Sequence, residues 1–199
     1  MTNVLIATHN KNKRKELKTL LNGFPDVKVL ILDDLDANPP IIVEDGKTFR
    51  QNAVKKAVIT SEFFDGLVLA DDSGLEVEAL HGRPGVRSAR FARVKATDRE
   101  NNEKLLKLLE KIPAKSRKAR FVCSIALASK GGLLESFEGK VEGSLLDEPR
   151  GKNGFGYDPL FVPDGYDKNF AEMTASYKNR ISHRGRALMK LKGSIKKYI

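Results

Sequence analysis

The sequence predicts an α/β fold in a single domain that covers residues 1–199. Short apolar runs of strand length alternate with longer segments in which apolar residues recur at helical spacing. The composition of the 199 residues, 40% hydrophobic and 31% charged, suits one globular domain with a sizeable core. Alternating strands and helices are typical of a sheet covered by helices.

The first half of the chain contains three predicted strands and two predicted helices. Apolar runs predict strands over Val4–Ala7, Val27–Leu32 and Leu67–Ala70. Apolar residues at helical spacing predict helices over Lys13–Leu21 and Lys47–Phe64. The chain therefore begins as a strand, a turn and a helix.

The second half adds a further strand, a hairpin and two helices. Period-two alternation predicts a strand over Leu75–Ala79. The turn residues Lys130–Gly132 separate two apolar runs, Ala119–Ala128 and Leu133–Val141, which indicates a long hairpin.

The two helices of this half have recognisable first residues. A helix over Asp98–Ile112 has Thr97 or Asp98 as its N-cap. The last helix begins near Ser182, which is also an acceptable N-cap.

Positive charge is concentrated near the end of the sequence. The chain has 36 Lys and Arg against 26 Asp and Glu, a net charge of +10. Residues 178–199 supply eight of the basic residues and no acid, so the remainder has 28 against 26, or +2. Such a segment fits either a nucleic-acid binding module or a cationic rim for a phosphorylated small molecule. No basic run is interleaved with aromatic residues, and a solvated helix face is a further interpretation of Lys192, Lys196 and Lys197.

We expect a cytoplasmic protein without membrane association. Apolar stretches such as Phe121–Ala128 are far shorter than the ~20 residues of a membrane span. Residues 1–4 lack the charged start of a secretory signal. The single cysteine, Cys123, cannot form an internal disulfide and suits a reducing compartment.

The segment Thr8–Lys13 joins the first strand to the first helix. Ligands of open α/β sheets dock at such junctions, and the N–H groups of a helix N-terminus favour a phosphate there. Lys13 could reach the same anion from the first helical turn. The alternative is that Asn10 only caps the helix and Lys13 is solvated.

Acidic candidates are Glu44 and the pair Asp71 and Asp72. The pair follows Leu67–Ala70, so we expect it at the carboxyl end of a strand, with one carboxylate available to hold a divalent ion. Mg²⁺ bound to phosphates needs few protein oxygens, because it keeps waters and takes other ligands from the substrate. The alternative is an Asx turn.

Three further patterns each allow two interpretations. Asn52 and Lys56 share a helix face, and the lysine could point at phosphate or extend to solvent. Phe155 stands between Gly154 and Gly156, as in a platform for a flat ligand or a plug in a tight turn. The segment Ser182–Gly185 begins the last helix and could contact a phosphate or a base.

Several other chemistries are disfavoured. Three scattered histidines and one cysteine do not provide the spacing of a zinc site. A nucleophile elbow, a Walker A loop and a dinucleotide-binding glycine motif are all absent from the sequence.

Six motifs occur in an order that resembles the inosine triphosphatase family, the non-canonical purine nucleoside triphosphate pyrophosphatases. The resemblance extends from Thr8 to Ala187. The motifs are Thr8-x-Asn10-x-x-Lys13, Phe49-x-x-Asn52-Ala53-x-x-Lys56-Ala57, Ala70-Asp71-Asp72-Ser73-Gly74-Leu75, Pro84-Gly85-Val86-x-Ser88-Ala89-Arg90, Gly154-Phe155-Gly156-Tyr157-Asp158-Pro159 and Ser182-His183-Arg184-Gly185. Two positions depart from the family pattern: His9 stands where many members have Gly, and Gln51 where the family often has Glu.

The resemblance implies a fold and an activity. The family fold is an elongated mixed sheet flanked by helices, with two lobes around a central cleft, and its members are usually homodimers. The implied reaction converts ITP, dITP, XTP and dXTP to the monophosphate and pyrophosphate. The implied partner is a small-molecule nucleotide rather than nucleic acid.

The resemblance also implies residue roles. Glu44 and Asp72 would hold Mg²⁺, and Asp72 would accept the proton of the attacking water. Thr8–Lys13 would bind the triphosphate, and His183 and Arg184 would read the base. The implied substrate-binding residues are Thr8, His9, Asn10, Lys11, Asn12, Lys13, Lys56, Ser73, Phe155, Gly156, Tyr157, Asp158, Lys178, His183 and Arg184.

Overall fold

A computed structural model describes residues 1–22, 24–35 and 39–198, and in these residues a mixed sheet is flanked by helices. The strands are β1 (Thr2–Ile6), β2 (Val27–Ile31), β3 (Leu67–Val77), β4 (Lys118–Ser129), β5 (Gly132–Leu145) and β6 (Phe161–Pro163). The helices are α1 (Lys11–Leu21), α2 (Phe49–Ser61), α3 (Asp98–Leu109), α4 (Ala175–Ile181) and α5 (His183–Ser194).

The strands form one sheet in the order β2-β1-β3-β4-β5-β6. β1 is parallel to both of its neighbours, so that Leu5 lies opposite Leu30 of β2 and Val68 of β3. β5 and β6 are antiparallel, with Ser144 opposite Val162. The predicted α/β class with a mixed sheet is confirmed.

Contacts divide the chain into two compact units. The first comprises the described residues within Met1–Asp72, Cys123–Gly139 and Arg184–Ile199, and the second comprises Ser73–Val122 and Lys140–His183. Strands β3, β4 and β5 contribute residues to both units.

The core of the first unit lies on both faces of β1. Val4 and Ile6 belong to one apolar cluster with Leu17 of α1 and Leu191 of α5. Leu5 belongs to a second cluster that includes the alanines of α2. Because successive strand residues point to opposite faces, this double burial explains why the strand is a continuous apolar run.

The core of the second unit combines leucines of α3 with a group of aromatic rings. Leu105 and Leu109 pack with the second half of β3 and with Phe121, Phe161 and Phe170, among other residues. The rings of Phe121 and Phe161 are edge-to-face, with centroids 4.8 Å apart. Such pairs add geometric preference to simple burial.

Strand β3 corrects the sequence prediction. Asp71 and Asp72 do not follow a strand that ends at Ala70, because β3 continues without a turn from Leu67 to Val77. Both carboxylates are buried in the middle of this strand. An acidic pair followed by Ser-Gly is typical of a turn, but here the strand continues and charged and polar side chains contact both carboxylates.

Gly74 allows a second segment to approach this strand closely. A Cβ at position 74 would stand 2.2 Å from Ser88 Oγ and 2.7 Å from the Gly85 carbonyl oxygen. Ser88 Oγ accepts a hydrogen bond from the Leu75 amide at 2.9 Å and donates one to the Gly85 carbonyl at 2.6 Å. Ser88 therefore holds the Pro84–Arg90 motif against β3.

The remaining predicted elements agree with the structure apart from their ends, whereas α4 and β6 were not predicted. Lys130 and Gly131 form the turn of the hairpin, with φ of 50° and 73°. Thr97 is the N-cap of α3, and its hydroxyl and the Glu100 carboxylate make a capping box. In the described part of the chain, none of the helices has the length and apolar character needed to cross a bilayer.

Replacing Gly74 with alanine should destabilise the protein by about 1–3 kcal/mol, because the added methyl overpacks the contact with Ser88. Gly132→Ala is the matched control, since its nearest neighbour would be the Ser129 carbonyl oxygen at 3.5 Å. Chemical denaturation measures both effects. Equal stability of the two variants would contradict the close approach at Gly74.

Candidate active site

In the segment between β1 and α1, Asn10 is the N-cap of α1. Its Oδ1 accepts hydrogen bonds from the amides of Asn12 and Lys13, both at 3.0 Å. Thr8 is buried, and its hydroxyl oxygen accepts from the Asn10 amide at 3.3 Å. The capping interpretation of Asn10 is thus confirmed, and it fixes where α1 begins.

Lys13 is not solvated, so the alternative that this side chain extends into solvent is wrong. Its ammonium lies 3.3 Å from Asp71 Oδ2 and 3.9 Å from Asp72 Oδ1. Burial alone would lower the pKa of Lys13, but the two carboxylates outweigh burial and raise this pKa above its usual value. Lys13 is therefore a fixed positive charge beside both aspartates.

Asp71 lies between two cations. Besides Lys13, the fully buried Arg184 guanidinium approaches Asp71 Oδ2 with Nη2 at 3.2 Å and Nε at 3.3 Å. Arg184 also pairs with Glu16 of α1. Burial alone would raise the pKa of Asp71, yet Lys13 and Arg184 hold it below the usual range. Asp71 thereby joins β3 to α1 and α5 through buried ion pairs.

Asp72 has a different environment and the opposite shift. Its Oδ2 accepts a hydrogen bond from Asn52 Nδ2 of α2 at 2.8 Å, and Asn52 Oδ1 in turn accepts from the Gly46 amide at 2.8 Å. Burial raises the pKa of Asp72, with a further increase from Glu44, and the nearby lysines only partly oppose this. A buried carboxylate with a raised pKa is a stronger base than an exposed one.

Lys56 links Glu44 to β3 at Asp71. Its ammonium pairs with the Glu44 carboxylate and donates to the Asp71 carbonyl oxygen at 2.6 Å. The lysine is almost completely buried, which decides between the two interpretations of this side chain: it does not extend to solvent.

Glu44 and Asp72 offer the hard oxygen atoms that a magnesium ion prefers. Their mutual repulsion, which raises the pKa of Asp72, is the kind that a divalent cation relieves. Within residues 1–22, 24–35 and 39–198, no group of three or more His, Cys, Asp and Glu side chains could hold a metal. The donor set therefore fits an ion that takes its other ligands from substrate and water.

The segment Gly154–Asp158 of the second unit is held by its own aspartate. Asp158 Oδ2 accepts a hydrogen bond from the Phe155 amide at 2.8 Å and pairs with the Lys178 ammonium of α4 at 2.6 Å. A Cβ at Gly154 would collide with this carboxylate at 2.1 Å, and φ there is +73°. Glycine at position 154 is therefore required by contact and by conformation.

Lys178 lies over aromatic rings as well as beside Asp158. Its ammonium is 4.8 Å from the centroid of the Phe155 ring and 5.7 Å from that of Phe170. Both Lys178 and Asp158 are at least 97% buried. Phe155 is thus kept in place by a cation that is itself fixed by an ion pair.

The structure distributes the predicted residues between the two units. The first unit brings together Lys13, Glu44, Lys56, Asp72 and Arg184, while the second holds Phe155–Asp158 with Lys178. His183 is buried in the second unit, where its ring stacks on Phe121 with centroids 4.7 Å apart. The predicted substrate residues His9, Lys11 and Asn12 are exposed, and Ser73 is half-buried.

The basic segment near the end of the chain is not uniformly exposed. Lys178 and Arg184 are buried in ion pairs, and Lys190 donates to the Glu138 carbonyl oxygen at 2.7 Å. The two buried ion pairs reduce the charge that the segment could offer to a nucleic acid, whereas Lys190 is exposed and keeps its charge.

Sequence reasoning missed three residues that organise these groups. Glu16 pairs with Arg184, whereas Asp98 and Asn102 of α3 bind the backbone of Gly156. Glu16 lies one turn after Lys13, a spacing that indicates a shared helix face. No local pattern identified its partner, which is 168 positions away.

An α/β sheet with lysines beside a strand–helix junction is typical of the class of proteins that bind phosphorylated ligands. The model of the Ham1 family matches residues 4–194, and the chain belongs to this family. The resemblance indicated by the six motifs is thereby confirmed.

Named relatives agree with this assignment. A dITP/XTP pyrophosphatase of Thermoanaerobacter pseudethanolicus is 52% identical over 98% of this chain and 96% of its own length. A dITP/XTP pyrophosphatase of Geobacter sulfurreducens is 48% identical over 96% of both chains. These matches give no support to the nucleic-acid-binding alternative.

Solved structures of the family have the same fold. A HAM1 protein from Coxiella burnetii has a TM-score of 0.88 at 38% identity, covering 99% of this chain and 100% of its own. The Staphylococcus aureus Ham1 protein has a TM-score of 0.85 at 37% identity, covering 98% of each chain.

Asp71→Asn should lower the free energy of unfolding by about 3–5 kcal/mol, because it leaves Lys13 and Arg184 buried with less compensating charge. Asp45→Asn is the control, since Asp45 pairs with Lys55 at 2.7 Å on the surface. Urea denaturation compares the two. If Asp71→Asn were no more destabilising than the control, the buried ion pairs would not hold this unit together.

Proposed function

We propose that the protein hydrolyses non-canonical purine nucleoside triphosphates, namely ITP, dITP, XTP and dXTP, to the monophosphate and pyrophosphate. The observation that carries the proposal is the position of Asp72: a buried carboxylate with a raised pKa, beside Lys13 and hydrogen-bonded by Asn52. The names of the Thermoanaerobacter and Geobacter relatives support the same activity.

The triphosphate would be bound by residues of the first unit. Thr8–Lys13 provides a helix N-terminus, and Lys13 and Lys56 provide ammonium groups. Negative charge on the phosphates would be stabilised by these cations and by the N–H groups of α1. Because Lys13 and Lys56 already face carboxylates, their side chains are positioned before the substrate arrives.

Asp72 would accept the proton of a water that attacks the α-phosphorus. Asn52 binds one carboxylate oxygen and so fixes the orientation of the side chain. Breaking the bond between the α- and β-phosphates releases pyrophosphate, and the protonated Asp72 then returns its proton to solvent. Generation of the hydroxide would be shared with the metal, so Asp72 does not need a strongly raised pKa for this step.

Glu44 and Asp72 would hold Mg²⁺, as proposed from the family resemblance and from their oxygen donors. When bound, the ion would neutralise phosphate charge and lower the pKa of a coordinated water. Lys56, which pairs with Glu44 here, orients that carboxylate.

The base would be bound with Phe155 as the stacking surface and with Lys178 and Asp158 beside it. A donor directed at O6 would accept hypoxanthine and xanthine but would face another donor in adenine. Such unpaired polar groups can give ~10⁴-fold discrimination. His183 and Arg184 stay the proposed readers of the base on the family resemblance alone, since both side chains are buried and Arg184 pairs with Asp71 and Glu16.

We further propose a cytoplasmic homodimer. The dimer rests on the resemblance to the inosine triphosphatase family. The location rests on the single cysteine, Cys123, which cannot form an internal disulfide and suits a reducing compartment.

Incubation of the protein with dITP and Mg²⁺ should yield dIMP and pyrophosphate, because water attacks the α-phosphorus. Turnover of dATP should be lower by roughly 10³-fold or more, since adenine lacks the O6 acceptor. Anion-exchange chromatography of the products identifies the broken bond, and a parallel reaction with EDTA tests the metal requirement.

Formation of dIDP and phosphate would contradict the proposed bond cleavage. Equal rates on dITP and dATP would contradict the proposed base selection. Full activity in EDTA would contradict the proposed Mg²⁺ site, and it would leave the proposed bond cleavage and base selection unaffected.

A further inference from the structure

Two residues of α3, Asp98 and Asn102, bind the backbone amide and the carbonyl oxygen of Gly156. Asp98 Oδ2 accepts a hydrogen bond from the Gly156 amide at 2.7 Å, and Asn102 Nδ2 donates one to the Gly156 carbonyl oxygen at 2.9 Å. Hydrogen bonds to a carboxylate are stronger than those between neutral groups. α3 therefore holds the centre of the Phe155–Asp158 segment from both sides.

The sequence explains why these two side chains can act together. Thr97 caps α3, so Asp98 is its first residue, and Asn102 follows four positions later on the same face. Arg99 and Glu103 have the same spacing on another face of the helix, and they form an ion pair with each other at 3.6 Å. The contact with Gly156 is thus specific to one face of the helix.

The contacts determine the backbone of Phe155. Its own amide is held by Asp158, and the next amide, that of Gly156, is held by Asp98. Gly156 has φ of +62°, and among the described residues no atom lies within 4 Å of the position that a Cβ would occupy. The backbone at Phe155 is therefore held through two consecutive amides, while the space beside Gly156 stays open.

Asn102 is buried, and one of its two polar atoms is used for the contact with Gly156. The residue is 8% exposed, and its Oδ1 is buried without a hydrogen-bond partner among the described residues. An unsatisfied buried acceptor costs free energy. The hydrogen bond from Nδ2 to the Gly156 carbonyl oxygen is therefore the polar contact by which Asn102 acts on the Phe155–Asp158 segment.

We propose that Asp98 and Asn102 are positioning residues for the base-binding segment Phe155–Asp158. This inference rests on the proposed function, since it assigns the segment to the purine base. Neither side chain takes part in the chemical step. Their loss should weaken substrate binding and leave the reaction at the phosphates nearly unchanged.

The test compares steady-state kinetics of the full-length protein with dITP for Asp98→Ala and Asn102→Leu. Each variant should raise KM about tenfold, the effect of losing one hydrogen bond of this kind, with kcat within about twofold of the wild type. Asp98→Asn keeps an acceptor for the Gly156 amide and should recover most of the wild-type KM. Arg99→Ala and Glu103→Gln are the matched controls on the same helix and should keep the wild-type KM.

Melting temperatures of the same variants separate positioning from a structural role. Asn102→Leu removes an unsatisfied oxygen and should not lower the melting temperature by more than the controls do. A lower kcat with unchanged KM would overturn the proposal, because it would show only a smaller folded fraction. Wild-type KM in both variants would also overturn it while leaving the proposed function intact. A wild-type protein that does not hydrolyse dITP would overturn both.

Discussion

The buried carboxylate of Asp71 is the constraint on which the first unit depends. It lies in the middle of β3 and contacts Lys13 of α1 and Arg184 of α5, and Arg184 contacts Glu16 in turn. Removing any partner would leave buried charge uncompensated, so these groups specify one arrangement of the three elements. That arrangement fixes the next residue, Asp72, beside Lys13 and Asn52.

Two adjacent residues of the same type consequently have opposite properties. Lys13 and Arg184 outweigh burial and lower the pKa of Asp71, so this carboxylate stays charged. Burial raises the pKa of Asp72, so this carboxylate can accept a proton. One aspartate supports the structure, and the other is available for chemistry. Separating the two pKa values by environment is a general way to assign roles to neighbouring acids.

Much of the fold could be predicted from the sequence, and part of the site could not. Apolar periodicity located α1, α2, α3, α5 and most strands because both faces of β1 and one face of these helices are buried. It did not locate α4, whose buried residues are Lys178 and Asn179, or β6, which has three residues. The strand end expected after Ala70 was wrong, because the ion pairs that accommodate Asp71 and Asp72 within β3 come from residues distant in the sequence. Asp98 was seen only as a possible N-cap, since its contact with Gly156 is equally long-range.

Asp72→Asn tests the central claim most directly. The account predicts a kcat on dITP lower by about 10²–10⁴-fold, because the proton acceptor is lost. It also predicts an unchanged circular dichroism spectrum and melting temperature, because burial disfavours the charge that is removed. A variant that keeps most of its kcat, or that loses activity only by unfolding, would contradict the assignment of Asp72 as the base.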